Sequence, residues 1–294
     1  MVRILDDQVD PFSRHLFAGS GYVLGEFACP PAADRWREEN WIGTRVHVVL
    51  PYTPVCITAA GHEPLVSTAN EVLVYDAGVH YRRRMVGPAG DRCLFFELSD
   101  DLAEELRAGS AASRGRPALR HAPLAAGAYA EHRLLRALLR GGHGDAAGAD
   151  EHALVLLAGV TGPVTGSCGG SAAAGWRRAV EEVKAALAAE PGRAWTLAGL
   201  AALVHYSPFA LARAFRRLTG YTVHGFGQQL RLRASVDRVL EPSTTLADVA
   251  VAAGFSSHSH YTHAFRRAFG RTPTQLRGAA TRRGGRAAGQ VPTT

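Results

Sequence analysis

The sequence predicts an α+β chain of two domains: a β-rich front half, and an all-α back half built from two copies of one helical unit. Three observations carry this. The chain has 294 residues, enough for two cores of ordinary size. Short β-branched and aromatic runs crowd residues 20–100, and helical periodicity follows them. A ten-residue segment of the back half then recurs at an offset of 50. Apolar residues make up 47% and charged residues 20%, which excludes wholesale disorder.

In the front half the strand runs are Val46–Leu50, Val55–Thr58, Val72–Tyr75 and Cys93–Leu98. Turn residues such as Ala77-Gly78 and Gly87-Pro88-Ala89-Gly90 separate them. That spacing predicts a sandwich or small barrel. Asp100-Asp101-Leu102 opens a helix, its acids suiting the positive end of the dipole. Residues 123–140 predict a helix with Leu124, Ala128, Leu134, Leu135, Leu138 and Leu139 on one stripe, and 150–159 a second apolar helix. Thr161–Gly175 is rich in Gly, Ser and Ala and reads as a flexible linker.

Several function classes drop out. Cys29, Cys56, Cys93 and Cys168 lie far apart, so neither a zinc ribbon nor a disulfide framework is indicated; free thiols in a reducing cytoplasm fit better. The first ten residues lack the apolar core of a secretory signal. Residues 153–176 and 194–212 lack Asp, Glu, Lys and Arg, but glycines interrupt the first and His205 and Pro208 the second, so no membrane span is expected. His47, His62 and His80 read as isolated histidines, not metal ligands, and no nucleophile elbow, phosphate-binding loop or dinucleotide fingerprint occurs. No catalytic residue, metal or cofactor is expected.

Charge separates the halves. Residues 1–175 hold 16 basic and 20 acidic side chains, a net of −4; residues 176–294 hold 17 and 6, a net of +11. Only the back half is suited to a polyanion. Lys184 is the single lysine among 33 basic residues.

The repeat pairs Leu211–Gly220 with Tyr261–Gly270. Upstream, Leu197–Ala201 pairs with Leu246–Ala250 at an offset of 49, so the second copy has one extra turn residue. Each copy reads as short helix, tight turn and longer helix ending at Gly. Ser207 caps the first longer helix ahead of Pro208, and Gly254 suits the left-handed exit in the second copy. This is a helix-turn-helix layout. Leu211, Ala214, Phe215 and Leu218 form the core stripe. Phe209, Ala212 and Arg213 are left outward, and 50 residues on the outward set is His258, Ser259, Thr262 and His263. Such faces suit a major groove, where apolar groups meet thymine methyls and polar groups read base edges. Ser207, Arg216, Arg217, Arg266 and Arg267 suit phosphates. Between the copies, residues 223–240 predict a connecting helix, with Phe226, Leu230 and Ala234 spaced by four. A rigid connector would let one chain span adjacent grooves ~34 Å apart.

At these residues the chain resembles the AraC/XylS family of bacterial transcription regulators. The resemblance spans about residues 176–278. It rests on Ser207-Pro208, Leu211, Arg213, Phe215, Gly220, Arg231, Arg233, Ala234 and Leu240, then Ala250, Gly254-Phe255, Phe265, Phe269-Gly270, Thr272-Pro273 and Arg277. Tyr261 stands where the family usually has Phe or Leu, and His263 where it often has Arg. The resemblance implies a cupin-like β-barrel with dimerisation helices over residues 1–160, binding an effector. Composition places the linker at 161–175 ahead of the double helix-turn-helix at 176–278, and the small, basic stretch at 279–294 reads as a disordered tail. It implies a cytoplasmic homodimer on double-stranded promoter DNA, a small-molecule effector whose contact residues the sequence does not assign, and contact with RNA polymerase if the protein activates, as the family tilts. Two rival readings are a cupin-type enzyme carrying a DNA-targeting module, and an effector-independent dimeric regulator. The Arg82-Arg83-Arg84 run fits either a grip on an acidic group or a solvated edge strand.

Overall fold

The computed structural model describes residues 11–108, 119–140, 146–160 and 171–286. The front carries β1 (Ser13–Gly19), β2 (Tyr22–Cys29), a 3-10 turn at Asp34–Arg37, β3 (Asn40–Trp41), β4 (Val46–Pro51), β5 (Val55–Ala59), β6 (Leu65–Ser67), β7 (Glu71–Tyr75), β8 (His80–Met85) and β9 (Asp91–Leu98). Helix α1 (Asp100–Ala108), strand β10 (Leu119–Pro123) and helices α2 (Ala126–Arg140) and α3 (Ala146–Val160) follow. The back is helical: α4 (Ser171–Ala189), α5 (Leu197–Leu203), α6 (Pro208–Thr219), α7 (Val223–Leu240), α8 (Leu246–Ala252), α9 (His258–Phe269) and α10 (Pro273–Arg286).

Two compact units form, and neither is a continuous stretch of chain. One comprises Met1–Leu124 with Thr161–Leu230, the other Ala125–Val160 with Arg231–Thr294. In the first, the strands form a six-stranded sheet, β1-β2-β9-β4-β7-β10, and a four-stranded sheet, β3-β8-β5-β6. This corrects the expected cupin-like barrel. Among the described residues the two sheets are not joined into a closed ring, and β3 and β6, at two and three residues, are too short to carry a ladder across. Ile42, Val55, Ile57, Leu65, Leu73 and Tyr75 belong to one buried cluster drawn from both sheets. Gly25 faces Phe95 across the β2–β9 ladder, and a Cβ there would lie 2.3 Å from the ring. Only glycine lets that ring lie flat on the strand.

The arginine run falls on β8, an inner strand and not an edge. Alternation turns Arg82 and Arg84 outward and Arg83 inward. There Arg83 donates to Asp91 Oδ2 at 2.5 Å and Asn40 Oδ1 at 3.2 Å, and its guanidinium lies 4.7 Å from the Phe27 ring centre. The acids of α1's first turn are solvated, as expected of a helix N-terminus.

In the second unit, α2 packs on α3, α9 and α10. Its buried face differs from the expected leucine stripe. Leu124 precedes the helix, and Tyr129, His132, Arg133 and Arg136 are buried beside Leu134 and Leu135. Arg133 makes a two-pronged ion pair with Asp237 on α7, with Nε 2.7 Å from Oδ1. The Arg233 guanidinium lies 5.0 Å from the Tyr129 ring centre. Helix α7 has the expected length, but Ala234 is exposed, and the buried line continues through Arg233 and Val236.

Two boundaries are corrected. Helix α4 begins at Ser171, so the last five residues expected in the linker are helical; the others, and Cys168, lie outside the described residues. Helix α10 continues to Arg286, so the tail expected to be disordered from 279 is helical over its first half. A helix places each backbone N–H on a carbonyl four residues back, and Ala279-Ala280-Thr281 offer no proline to stop it. Among the described residues no helix is long and apolar enough to cross a membrane.

Candidate nucleic-acid interface

The two helix-turn-helix copies are built alike from the caps inward. Thr196 Oγ1 accepts from Gly199 N at 3.0 Å to start α5, and Thr245 Oγ1 from Asp248 N at 3.1 Å to start α8. Ser207 Oγ accepts from Ala210 N at 3.2 Å and Ser257 Oγ from His260 N at 3.1 Å, opening the second helix of each copy. Both second helices end on a left-handed glycine, Gly220 at φ 77° and Gly270 at φ 72°. The turns align through Tyr206 N on Ala201 O and Phe255 N on Ala250 O, 49 residues apart. The extra residue of the second copy is therefore Ser256.

The buried stripe of α6 is Leu211, Ala214 and Phe215, with Leu218 half-buried. That of α9 is Tyr261, Phe265 and Phe269. The departure at Tyr261 has a local cause. Its hydroxyl lies 2.8 Å from Ser235 Oγ on α7, which donates to Leu232 O at 2.7 Å. Burial pushes the phenol up to about 12, so it remains a protonated hydrogen-bonding group.

The residues expected to meet DNA fall as follows. Phe209 is 76% exposed, unusual for a phenylalanine on a solvated helix. Arg213, one turn on, is exposed, with its guanidinium 6.0 Å from the Phe209 ring centre, and Ala212 beside it is half-buried. Arg216 and Arg217 are exposed near the C-terminus of α6, as are Arg266 and Arg267 near that of α9. His258, Ser259 and His263 are exposed on α9. Thr262 differs: its hydroxyl oxygen is enclosed, so its polar atom is withdrawn from the outer face.

The front half contains a cavity that the sequence did not indicate. It encloses about 140 Å³ between the two sheets. Alternate residues of β9, Asp91, Cys93, Phe95 and Glu97, line one wall; Tyr75, Tyr81 and Arg83 contribute polar groups beside Ile57 and Leu73. His47, expected to be isolated, is not. Its Nδ1 lies 3.1 Å from Arg45 O and its Nε2 3.4 Å from Glu97 Oε1, while His15 Nε2 approaches the same oxygen at 3.6 Å. Hydrogen bonding from His47, against partial burial, holds the Glu97 carboxyl below its ordinary range. Burial pushes the Tyr75 and Tyr81 phenols up, keeping them protonated donors. Among the described residues no three His, Cys, Asp or Glu side chains are arranged to hold a metal ion.

Residues 200–279 match the family described as Helix-turn-helix domain. Among curated proteins, the chain is 33% identical over 87 residues to the RCS-specific HTH-type transcriptional activator RclR of Escherichia coli (strain K12), covering 30% of this chain and 31% of that protein. It is 28% identical over 82 residues to the bifunctional transcriptional activator/DNA repair enzyme AdaA of Bacillus subtilis (strain 168), covering 28% and 39%. The chain thus spans under two fifths of the length of either relative. A solved structure of a probable AraC family transcriptional regulator from Rhodopseudomonas palustris CGA009 is 28% identical, covers 35% of this chain and 97% of that one, and has a TM-score of 0.33. The back half therefore defines a helix-turn-helix protein.

Proposed function

We propose that this protein is a cytoplasmic, sequence-specific DNA-binding transcription regulator, and not an enzyme. The observation that carries the reading is the exposed face of α6. Phe209 stands 76% exposed beside Arg213, ahead of Arg216 and Arg217, at the position a helix-turn-helix offers to a major groove. In this reading Phe209, Ala212 and Arg213 meet bases in one groove and His258, Ser259, Thr262 and His263 in the next. Ser207, Arg216, Arg217, Arg266 and Arg267 hold phosphates. Because the polar atom of Thr262 is enclosed, the second unit reads mainly through His258, Ser259 and His263.

The cavity between the sheets supports control by a small molecule. Its volume suits a ring-sized compound, and its mixture of phenol donors, a carboxylate and apolar walls suits a polar ring. Apolar Leu154 and Val155 stand exposed on α3, which supports a homodimer formed through that helix. Within residues 1–160 the strands would then bind the effector and α3 would form the dimer contact, while residues 176–278 bind DNA. Activation through RNA polymerase follows the family's tendency.

The test is selection of duplex DNA by the full chain from random fragments, paired with a thermal-shift screen of small ring compounds. A recovered site with two half-sites one helical turn apart is the expected result. Recovery of no preferred sequence would remove the regulator reading. A rise in Tm with a compound, absent when Glu97 is changed to Gln, would place the effector in the cavity.

A further inference from the structure

The chain's single lysine lies where no surface lysine would. Lys184 on α4 is 1% exposed and reaches across to the front domain. Its Nζ donates to Glu71 Oε1 on β7 at 2.7 Å and to Glu181 Oε1 at 3.2 Å. Glu181 in turn accepts from Val66 N on β6 at 2.6 Å. Next to the triad, Asn70 Nδ2 donates to Phe226 O on α7 at 3.1 Å. Burial opposes ionisation of Glu71, but Lys184 and His121 outweigh it and hold its carboxyl down at about 2.

The strands that carry these contacts also wall the cavity. Ser67 follows Val66 on β6, and Leu73 and Tyr75 follow Glu71 on β7; all three line the cavity. On the other side α4 packs on α6. The Trp176 ring, near the start of α4, sits 3.9 Å from that of Tyr206, in the turn that opens α6. Strand β7 therefore lines the cavity through Leu73 and Tyr75 and meets α4 through Glu71, and α4 in turn packs on α6 of the first helix-turn-helix. A buried ion triad is suited to such a junction because intermediate positions are costly. Sliding α4 by an ångström leaves a desolvated charge uncompensated, so the contact is either made or broken.

We propose that the Glu71–Lys184–Glu181 triad is the coupling element through which the state of the cavity sets the position of reading helix α6. This rests on reading the cavity as an effector site and α6 as a DNA-reading helix. A ligand that displaces β7 would strain or release the triad, and α4 would pass the change to α6.

The test is a mutant cycle on the full chain, with no ligand required. The cavity is altered by Leu73→Ala or, more mildly, by Ser67→Val. The link is removed by Glu71→Gln and Glu181→Gln together with Lys184→Met, which leaves no lone charge in the triad, or weakened by Glu71→Gln alone. Hydrogen exchange of the amides of Phe209–Thr219 and affinity for the selected DNA are read for every combination. With the triad intact, either cavity change should shift α6 exchange and DNA affinity by ~5-fold or more. Without the triad the same changes should leave both unaltered. Equal shifts in both backgrounds, or none in either, would overturn the coupling. The other readings fail separately. If no variant selects DNA, the DNA reading fails and exchange alone decides the coupling; if no compound binds the wild type, the effector reading fails and the cycle still stands.

Discussion

His205 occupies, at φ 58°, the turn position that Gly254 holds at φ 75° in the second unit. Both lie in the left-handed region, where a side chain costs about 1–2 kcal/mol. His205 is the one non-glycine residue with positive φ among the described residues, and it is exposed. His205→Gly should therefore raise stability, by about 1 kcal/mol less the extra freedom of glycine in the unfolded chain. Gly254→Ala should lower it by about 1 kcal/mol. Urea midpoints of the two variants would show the opposite signs; a loss in both would mean that the His205 side chain supports the turn.

The Tyr261–Ser235 contact makes a second prediction. Tyr261→Phe removes one hydrogen bond but leaves Ser235 its donation to Leu232 O, so the cost should be about 1 kcal/mol. Ser235→Ala leaves a buried phenol without that partner and should cost about 1–3 kcal/mol. The double variant should cost less than the two singles combined. Additive losses in denaturation would show that the two groups do not interact.

His132 gives the second unit an acid sensitivity. Burial first, then the guanidinium groups of Arg133, Arg233 and Arg136, hold its imidazole well below the ordinary value. Below about pH 6.5 the unfolded chain takes up a proton there that the folded unit refuses. This contribution to stability is complete above that pH and is lost progressively as pH falls below it. Between pH 7.5 and 5.5 the wild type should lose about 1 kcal/mol more than His132→Gln. Parallel losses in urea titrations of the two proteins would assign the acid sensitivity elsewhere.

The double helix-turn-helix was legible because its signals are local. Each twelve-residue helix carries apolar residues at i, i+3, i+4 and i+7 and is flanked directly by a serine cap and a glycine exit. The cavity was not, because Tyr75, Tyr81, Arg83 and Glu97 come from three strands whose register no single stretch reveals. The alternation along Asp91, Cys93, Phe95 and Glu97 was the one available hint. Periodicity also misplaced Ala234, because it assigns leucines and alanines to the core and cannot foresee that Arg233 is buried against Tyr129. Lys184 was hidden for the same reason: a lone lysine in a helix reads as a solvated charge until its carboxylate partner on a distant strand is known.

The central claim is that the outward face of α6 reads DNA, and one comparison tests it most directly. Full-length wild type, Arg213→Ala and Arg217→Ala are titrated with the selected duplex and with its single-base variants, at several salt concentrations. Arg213→Ala should lose about 1–3 kcal/mol and its preference at one base pair, as expected of a bidentate guanine contact. Arg217→Ala should weaken every sequence alike and reduce the salt slope by about 1, as expected of a phosphate contact. Salt-insensitive binding, or two arginine variants that behave identically across all sequences, would contradict the assignment of α6 as the reading helix.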